Sequence, residues 1–238
     1  MLFNSVIVGA KSAAAEEAAA LARVLADAAG SARISEVRVP DGESVGRGLH
    51  DAAVEQGADL IVIGSSSRGL LGRILAGDDV TTTLRCAPCA VAIAPRGFTA
   101  SAGGLQRIGV GYDGSPQAQA ALAAARALAG DGTEIRALGI ATPPQGLVTP
   151  LGVSAVAAIE AKREQIERCI GELDGGVEGN VVDGIAHQRL AELSGEVDLL
   201  VVGSSQRGKV GRVLLGSTSE TLSRQAACPL LVTVAADA

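Results

Sequence analysis

Hydrophobic and polar positions along the second half of the chain predict a regular alternation of strands and helices. Strand-like apolar runs begin at residues 107, 134, 179, 198 and 229, and amphipathic or alanine-rich stretches with helical periodicity separate them. One of these stretches, residues 153–171, carries Glu, Lys and Arg, and we expect the charged run 161–168 to be a solvated helix face. Strands that alternate with helices form a parallel, helix-covered sheet. The pattern therefore predicts an α/β fold with five parallel strands in this half.

The first half shows the same alternation in a shorter form. A helical stretch over residues 12–30 is followed by one strand-like run, residues 34–39, before the next helix and the strand at 59–64. One strand and one helix of the second half have no counterpart here. We therefore expect a truncated, four-stranded sheet in the first half.

The two halves are copies of one another. Residues 59–89 align with residues 198–228 without a gap and are identical at 16 of 31 positions, so the chain contains an internal duplication. A stretch of small residues, 95–104, separates the copies and has the composition of a linker. We expect one domain over residues 1–98 and a second over residues 104–238.

Composition narrows the class of partner. Aromatic residues make up 1% of the chain and the formal net charge is −6, which argues against a nucleic-acid surface with basic stripes or stacking rings. No apolar run approaches the roughly 20 residues of a membrane span, and the first residues lack a basic leader. We expect a cytoplasmic protein that binds neither nucleic acid nor membrane.

The segment from Gly203 to Ser219 is the strongest candidate for a binding site. Gly203 ends an apolar strand, and Gly216-Ser217-Thr218-Ser219 begins the following helix. Free N–H groups and the dipole at a helix N-terminus favour an anion, hydroxyls of Ser217 and Ser219 can donate to phosphate, and Arg207 and Lys209 add positive charge. The alternative is that Ser217 or Ser219 only caps the helix.

A resemblance to a known family extends this interpretation. The pattern of Gly203, Gly216 and Ser217 after a hydrophobic strand, a last strand introduced by Cys228-Pro229, and the turn Asp113-Gly114-Ser115 after the first strand together resemble the universal stress protein family. Both halves show the pattern, so the chain looks like a tandem universal stress protein with two Rossmann-like domains of the adenine nucleotide alpha hydrolase type. The resemblance implies that a complete domain binds ATP, with or without Mg²⁺, or else ADP, AMP or cyclic AMP.

The resemblance also assigns roles to residues of the second half. It implies that Asp113 lies at the adenosine end and that the backbone of Ile140 meets the adenine. The ribose and phosphates would lie along Val202, Gly203, Ser205 and Gln206, and the phosphates would be held by Gly216, Ser217, Thr218 and Ser219. Gln206 stands where the family has a second glycine, and this departure is unfavourable if the site needs a positive φ.

The first half departs further from the family pattern. Ala10 stands where Asp113 is expected, Ser67 replaces the second glycine, and Asp78, followed by Asp79, replaces the phosphate-binding serine. Because carboxylates repel phosphate, we expect the first domain to be a structural partner that binds no ATP.

Two other functions compete with nucleotide binding by the second half. One is a nucleotide-free scaffold or interaction module. The other is an NAD-dependent oxidoreductase, suggested by the G-x-G-x-x-G spacing of Gly109, Gly111 and Gly114, which is weak evidence without its structural context.

Few residues suggest catalysis. His50 and His187 occupy different positions in the two copies and lack metal-ligand spacing, and without an evident general base we expect at most slow ATP hydrolysis. Cys86 and Cys89 form a C-x-x-C motif that leads into a strand instead of a helix, so buried thiols are expected there in place of a redox pair.

The assembly follows from the resemblance alone. Family members pair through their last strands, which here are the runs 90–94 and 229–234, so the two halves are expected to form an internal pseudo-dimer. Pairing of two chains into a homodimer, and a protein partner, are open at this stage.

Overall fold

The computed structural model describes residues 3–9, 14–30, 32–40, 42–65, 72–74, 77–142, 153–204 and 216–234. The first half contains β1 (Ser5–Gly9), α1 (Ala15–Ala28), β2 (Arg33–Val37), α2 (Val45–Gln56), β3 (Leu60–Gly64), α3 (Asp78–Cys86) and β4 (Ala90–Ala94). The second half contains β5 (Arg107–Gly111), α4 (Pro116–Leu128), β6 (Glu134–Ala141), α5 (Val153–Gly171), β7 (Val177–Asp183), α6 (Ala186–Leu193), β8 (Leu199–Gly203), α7 (Ser217–Gln225) and β9 (Leu230–Thr233).

All nine strands form one sheet, in the order β2-β1-β3-β4-β9-β8-β5-β6-β7. Neighbouring strands within each half are parallel, which confirms the predicted α/β fold with four strands in the first half and five in the second. The halves meet where β4 pairs with β9 in antiparallel orientation, with Val91 opposite Val232 and Ile93 opposite Leu230. The last strands of the two copies thus join them into a single sheet, as the resemblance implied.

Helices cover both faces of the sheet in two layers. The side chains of α1, α4 and α5 pack into a core on one face, and those of α2, α3, α6 and α7 pack into a second core on the other. β4 is buried along its whole length, as is β9. Continuous Val, Ile, Leu and Ala runs are typical of parallel strands that are covered on both faces.

The truncation of the first half removes the counterparts of α5 and β7. β2 is therefore an edge strand, whereas its counterpart β6 has neighbours on both sides. The pairing register makes Ile34 of β2 equivalent to Ile135 of β6. Ile34 is 39% exposed and Ile135 is 4% exposed, because α5 packs over β6 and β7 and nothing equivalent follows β2 along the chain.

The strand register corrects one detail of the sequence alignment. Val6 pairs with Leu60 and Ile108 pairs with Leu199, so Gly9 corresponds to Gly111 and not to Tyr112. The following helices nevertheless keep the sequence alignment, because Ala14 packs against Gly64 as Gln117 packs against Gly203. The connection between strand and helix is therefore one residue shorter in the first half, and Ala10 itself lies outside the described residues.

A hydrogen bond and an ion pair between described residues also join the halves outside the sheet. The N–H of Ile74 donates to the carbonyl oxygen of Ala226 at 3.0 Å, and Arg85 of α3 forms an ion pair with Glu220 of α7 at 3.2 Å.

None of the helices in the described ranges is long and apolar enough to cross a bilayer.

Candidate functional site

A cleft of about 460 Å³ opens at the C-terminal ends of the strands in the second half. It lies where β5 and β8 are neighbours. After β5 the chain continues toward one edge of the sheet, to β6, and after β8 it continues in the opposite direction along the sheet, to β9. Parallel sheets bind ligands at such a switch point, and the volume is within the usual range for small-molecule sites.

One wall of the cleft is apolar. It is formed by Leu138 and Ile140 from β6, Leu190 from α6 and Val202 from β8. Leu138 and Ile140 are half-buried, while Ala137 before them and Ala141 after them are buried, and Gly139 between them packs against α5 on the other face of the sheet. This alternation leaves the cleft side of β6 free to contact a flat, apolar group such as a nucleobase.

The opposite end of the cleft is formed by the N-terminus of α7. Gly216 is the N-cap in extended conformation and supplies no side-chain hydrogen bond to the helix. The first turn of a helix has N–H groups without intrahelical partners, and here Gly216, Thr218 and Ser219 line the cleft. The arrangement suits an anion.

A turn that carries Asp113 forms the rim between these walls. A carboxylate oxygen of Asp113 accepts a hydrogen bond from the N–H of Ser115 at 3.0 Å. The Ser115 hydroxyl in turn accepts from the N–H of Ala118 at 3.2 Å and caps α4, with Pro116 as the first helical residue. Gly114 has φ +79°, which a non-glycine residue rarely adopts. The turn thus fixes the position of an exposed carboxylate at the cleft.

The structure brings most of the predicted site residues together. Those that line the cleft are Asp113, Ile140, Val202, Gly203, Gly216, Thr218 and Ser219. The Ser219 hydroxyl is buried and donates to the carbonyl oxygen of Gly203 at 3.2 Å. Ser217 is exposed and is not part of the cleft lining, so its contact with a phosphate stays a prediction. Ser205 and Gln206, with Arg207 and Lys209, lie outside the described residues.

The position of Lys162 in the cleft was not anticipated from the sequence. Lys162 lines it from α5, although the run 161–168 was expected to be a solvated helix face, and Ile166 in the same run is fully buried. The ion pair of Arg163 with Glu167, at 3.2 Å and four residues apart, does fit that expectation. A helical period with Lys162 and Ile166 on one side of α5 was the available signal.

Two of the three glycines of the G-x-G-x-x-G spacing, Gly109 and Gly111, serve the packing of the sheet, and the third, Gly114, belongs to the Asp113 turn. A Cβ on Gly109 would lie 3.0 Å from Cδ2 of Leu193, and one on Gly111 would lie 3.2 Å from Cδ1 of Leu190. Both glycines belong to β5 and make room for α6. The dinucleotide motif needs its glycines in the turn at the pyrophosphate, so the spacing does not carry a dehydrogenase site.

Among the described residues of the first half, apolar side chains fill the positions that correspond to the cleft lining. Val37 of β2 corresponds to Leu138 by register, so Val39, two residues further along the chain, corresponds to Ile140, and it is 4% exposed. It packs so closely on α2 that a Cβ on Gly48 would lie 2.8 Å from both Val39 methyl groups. At the start of α3, Asp78, Asp79 and Val80 occupy the positions of Ser217, Thr218 and Ser219. Val80 is buried, so the hydroxyl of Ser219 has no equivalent.

The surroundings of Cys86, Cys89 and His50 indicate that these side chains have structural roles. Burial raises the pKa of the Cys89 thiol to about 12, and Cys86 is the last residue of α3, so the C-x-x-C motif lacks the helix N-terminus that activates a thiol. His50 donates from Nδ1 to the carbonyl oxygen of Cys86 at 2.7 Å and thereby satisfies the end of α3. No group of three His, Cys, Asp or Glu side chains with metal-binding geometry occurs among the described residues.

Comparisons with known proteins agree with this fold. The model of the universal stress protein family matches residues 4–95 and 104–233. A universal stress protein of Mycobacterium tuberculosis (strain H37Rv) is 30% identical over 200 residues, which cover 79% of this chain and 68% of that protein. Another from the same strain is 33% identical over 182 residues, or 74% of this chain and 61% of that protein.

Solved structures give the same result at the level of the fold. The crystal structure of a universal stress protein from Archaeoglobus fulgidus superposes with a TM-score of 0.63 at 18% identity, over 99% of this chain and 100% of that one. A putative universal stress protein from Pseudomonas aeruginosa gives 0.60 at 17% identity, over 98% and 93%.

Proposed function

Since the chain belongs to the universal stress protein family of stress-response proteins, we propose that its second half is a receptor for an adenine nucleotide and that ATP is the ligand. The carrying observation is the N-terminus of α7, which opens without a side-chain cap into a cleft whose other wall is apolar. A nucleotide requires this combination, because its base is flat and its phosphates are anionic.

The chemistry of the cleft orients the nucleotide in one direction. Adenine packs against Ile140 and Leu190, the carboxylate of Asp113 accepts from one ribose hydroxyl, and the phosphates meet the free N–H groups at Thr218 and Ser219. ADP, AMP and cyclic AMP fit the same scheme with fewer phosphate contacts, and Mg²⁺ can accompany ATP at the open side.

The first half serves as a structural partner without a nucleotide. Val39 and Leu49 are buried in the region that corresponds to the apolar wall, and Asp78 and Asp79 place two carboxylates at the corresponding helix start. The ion pair of its Arg85 with Glu220 of α7 couples the nucleotide site to the first half. A regulatory role in the cytoplasm, exercised on a protein partner or on a homodimer, completes the proposal.

The test transplants the start of α3 onto α7. The double variant Ser217→Asp, Thr218→Asp gives α7 the two carboxylates that begin α3. A charge pair 4 Å apart is worth about 4 kcal/mol at an effective dielectric of 20, and solvent screening reduces this at an exposed helix start. We expect ATP affinity, measured by isothermal titration calorimetry, to fall by at least tenfold.

The matched control is Thr221→Ala, which alters the same helix outside the cleft lining. It should bind ATP as the parent protein does. Asp113→Ala should weaken binding of ATP and of adenosine alike. Undiminished ATP binding in both the double variant and Asp113→Ala would contradict the proposed site.

A nucleotide-free scaffold is the second candidate function, and one contact favours it. The hydroxyl of Ser219 is already donated to Gly203, so the cleft is partly satisfied without a ligand. Absence of adenine nucleotide after denaturation of the purified protein, together with no thermal shift in millimolar ATP and Mg²⁺, would support the scaffold. A ligand at 100 times its Kd should stabilise the protein by about 2.7 kcal/mol.

A further inference from the structure

Helix α5, which has no counterpart in the first half, contributes Lys162 to the lining of the cleft. It is held close to the sheet because Gly139 of β6 and Gly179 of β7 leave room for Ile166 and Ile170. Lys162 lies one helical turn before Ile166 and on the same side of the helix. Since α5 runs antiparallel to the strands, this turn is nearer their C-terminal ends, and Lys162 lines the cleft together with Ile140 and Thr142.

The ammonium group of Lys162 has no ion-pair partner within the described ranges, and the Asp113 carboxylate of the same cleft does not pair with it. Lys162 is half-buried and forms no ion pair with any residue that the structure describes. Its neighbour Arg163, in contrast, is held by Asp183 at 2.6 Å and by Glu167 at 3.2 Å. Partial burial of an unpaired charge is unfavourable, and the net charge of −6 offers many acids that could have paired with it. An anionic group of the ligand is the natural partner for this lysine.

That anion is distinct from the phosphates at α7. Helix α5 packs in the layer of α1 and α4, whereas α7 packs in the opposite layer with α2, α3 and α6. Along the sheet, α5 connects β6 to β7 and α7 connects β8 to β9, with β5 between β8 and β6. A 5′-phosphate chain that extends toward α7 therefore leads away from Lys162. The group that reaches Lys162 must leave the adenosine from another position.

We propose that Lys162 is a specificity-determining residue that recognises a phosphate on the ribose 2′ or 3′ oxygen of the bound adenine nucleotide. The inference rests on the proposed nucleotide site, and it extends the ligands of that site from ATP to adenosine nucleotides that carry a 5′ phosphate and also a phosphate on the ribose 2′ or 3′ oxygen. A lysine suits this role as a compact point charge on a flexible stem. The 5′ phosphates stay at α7, and the second phosphate fills the α5 side of the cleft.

Three isomeric ligands provide the test. ADP, adenosine 2′,5′-bisphosphate and adenosine 3′,5′-bisphosphate contain the same atoms and differ in the position of one phosphate. Calorimetry on the full chain should show that one bisphosphate binds at least about tenfold more tightly than ADP, which is the usual value of a charged hydrogen bond. The preferred isomer identifies the ribose oxygen.

Variants of α5 separate recognition from general charge. Lys162→Gln should reduce the preference to about one and leave ADP binding unchanged, while Lys162→Arg should keep the preference. Arg168→Gln removes a positive charge from an exposed position of the same helix that does not line the cleft, and it should behave as the parent protein does.

The outcomes distinguish this inference from the proposed function. An unchanged preference in Lys162→Gln, or equal weakening of ADP and both bisphosphates, overturns the role of Lys162 and leaves nucleotide binding intact. If the parent protein binds none of the three ligands and no ATP, the nucleotide site itself is wrong and the role of Lys162 falls with it.

Discussion

At the residue scale, the same glycine position shapes both copies of the fold. Gly203 ends β8 and lies directly against Gln117 in the first turn of α4, and Gly64 ends β3 and lies directly against Ala14 at the start of α1. The sequence marked Gly203 as part of a ligand loop. The structure shows that close helix packing already requires a glycine there, whether or not a ligand binds.

Gly203→Ala should therefore destabilise the protein even without nucleotide. The new Cβ would lie 2.6 Å from the backbone carbon and oxygen of Gln117, and overpacking of this kind costs about 1–3 kcal/mol. Urea unfolding monitored by circular dichroism measures the change. Gly171→Ala, at an exposed helix end with no atom within 4 Å of the new Cβ, is the control and should be neutral or slightly stabilising. Equal stability of the two variants would refute the packing argument.

At the scale of elements, the missing helix and strand explain most differences between the halves. Without counterparts of α5 and β7, β2 is an edge strand, its apolar face is partly open, and the first half lacks the wall that carries Lys162. The segment after β2 instead packs onto α2 through Val39. The first half thus lacks the side of the cleft that carries Lys162, and Val39 fills part of the space that corresponds to the cleft.

Substitution by alanine should have different effects at the equivalent isoleucines of β2 and β6. Ile135→Ala removes a buried side chain and should cost about 2–5 kcal/mol, whereas Ile34→Ala at 39% exposure should cost less than about 1 kcal/mol, as surface substitutions do. Chemical denaturation of the two variants under identical conditions checks this. A loss of stability at Ile34 as large as that at Ile135 would mean that another element covers β2.

At the scale of the whole molecule, the two halves share their cores. Each of the two cores contains residues from both halves, and β4 and β9 pair in the middle of the sheet. Such continuity predicts that the halves unfold together as one cooperative unit.

Shortening a core side chain in the first half should therefore lower the stability of the second half as well. Leu60 of β3 is fully buried, and Leu60→Ala should destabilise the chain by about 2–5 kcal/mol. Tyr112, the one tyrosine of a chain without tryptophan, reports on the second half by its fluorescence. Its unfolding midpoint should shift as far as the midpoint from circular dichroism. A tyrosine signal that stays at the parent midpoint would show that the halves unfold independently.

Much of the fold and part of the site were accessible from the sequence. Helical and strand periodicity determined the number and order of the elements, and the duplication made the shorter half visible, because both depend on local patterns of apolar residues. The start of α4 at Ser115 and Pro116 was equally local. The family resemblance placed Asp113, Ile140 and the Gly216–Ser219 segment in one site, and the structure brings them, apart from exposed Ser217, to one cleft.

Only the tertiary structure decided what depends on distance between elements. Sequence alone specified the charges of α5, but the packing of Ile166 and Ile170 on two glycines decided that Lys162 reaches the cleft. Likewise, the glycines of β5 were visible in the sequence, but the proximity of Leu190 and Leu193 decided that they serve α6. Periodicity records which side of an element is buried, whereas the partner that buries it comes from a remote part of the chain and is fixed only when the sheet is assembled.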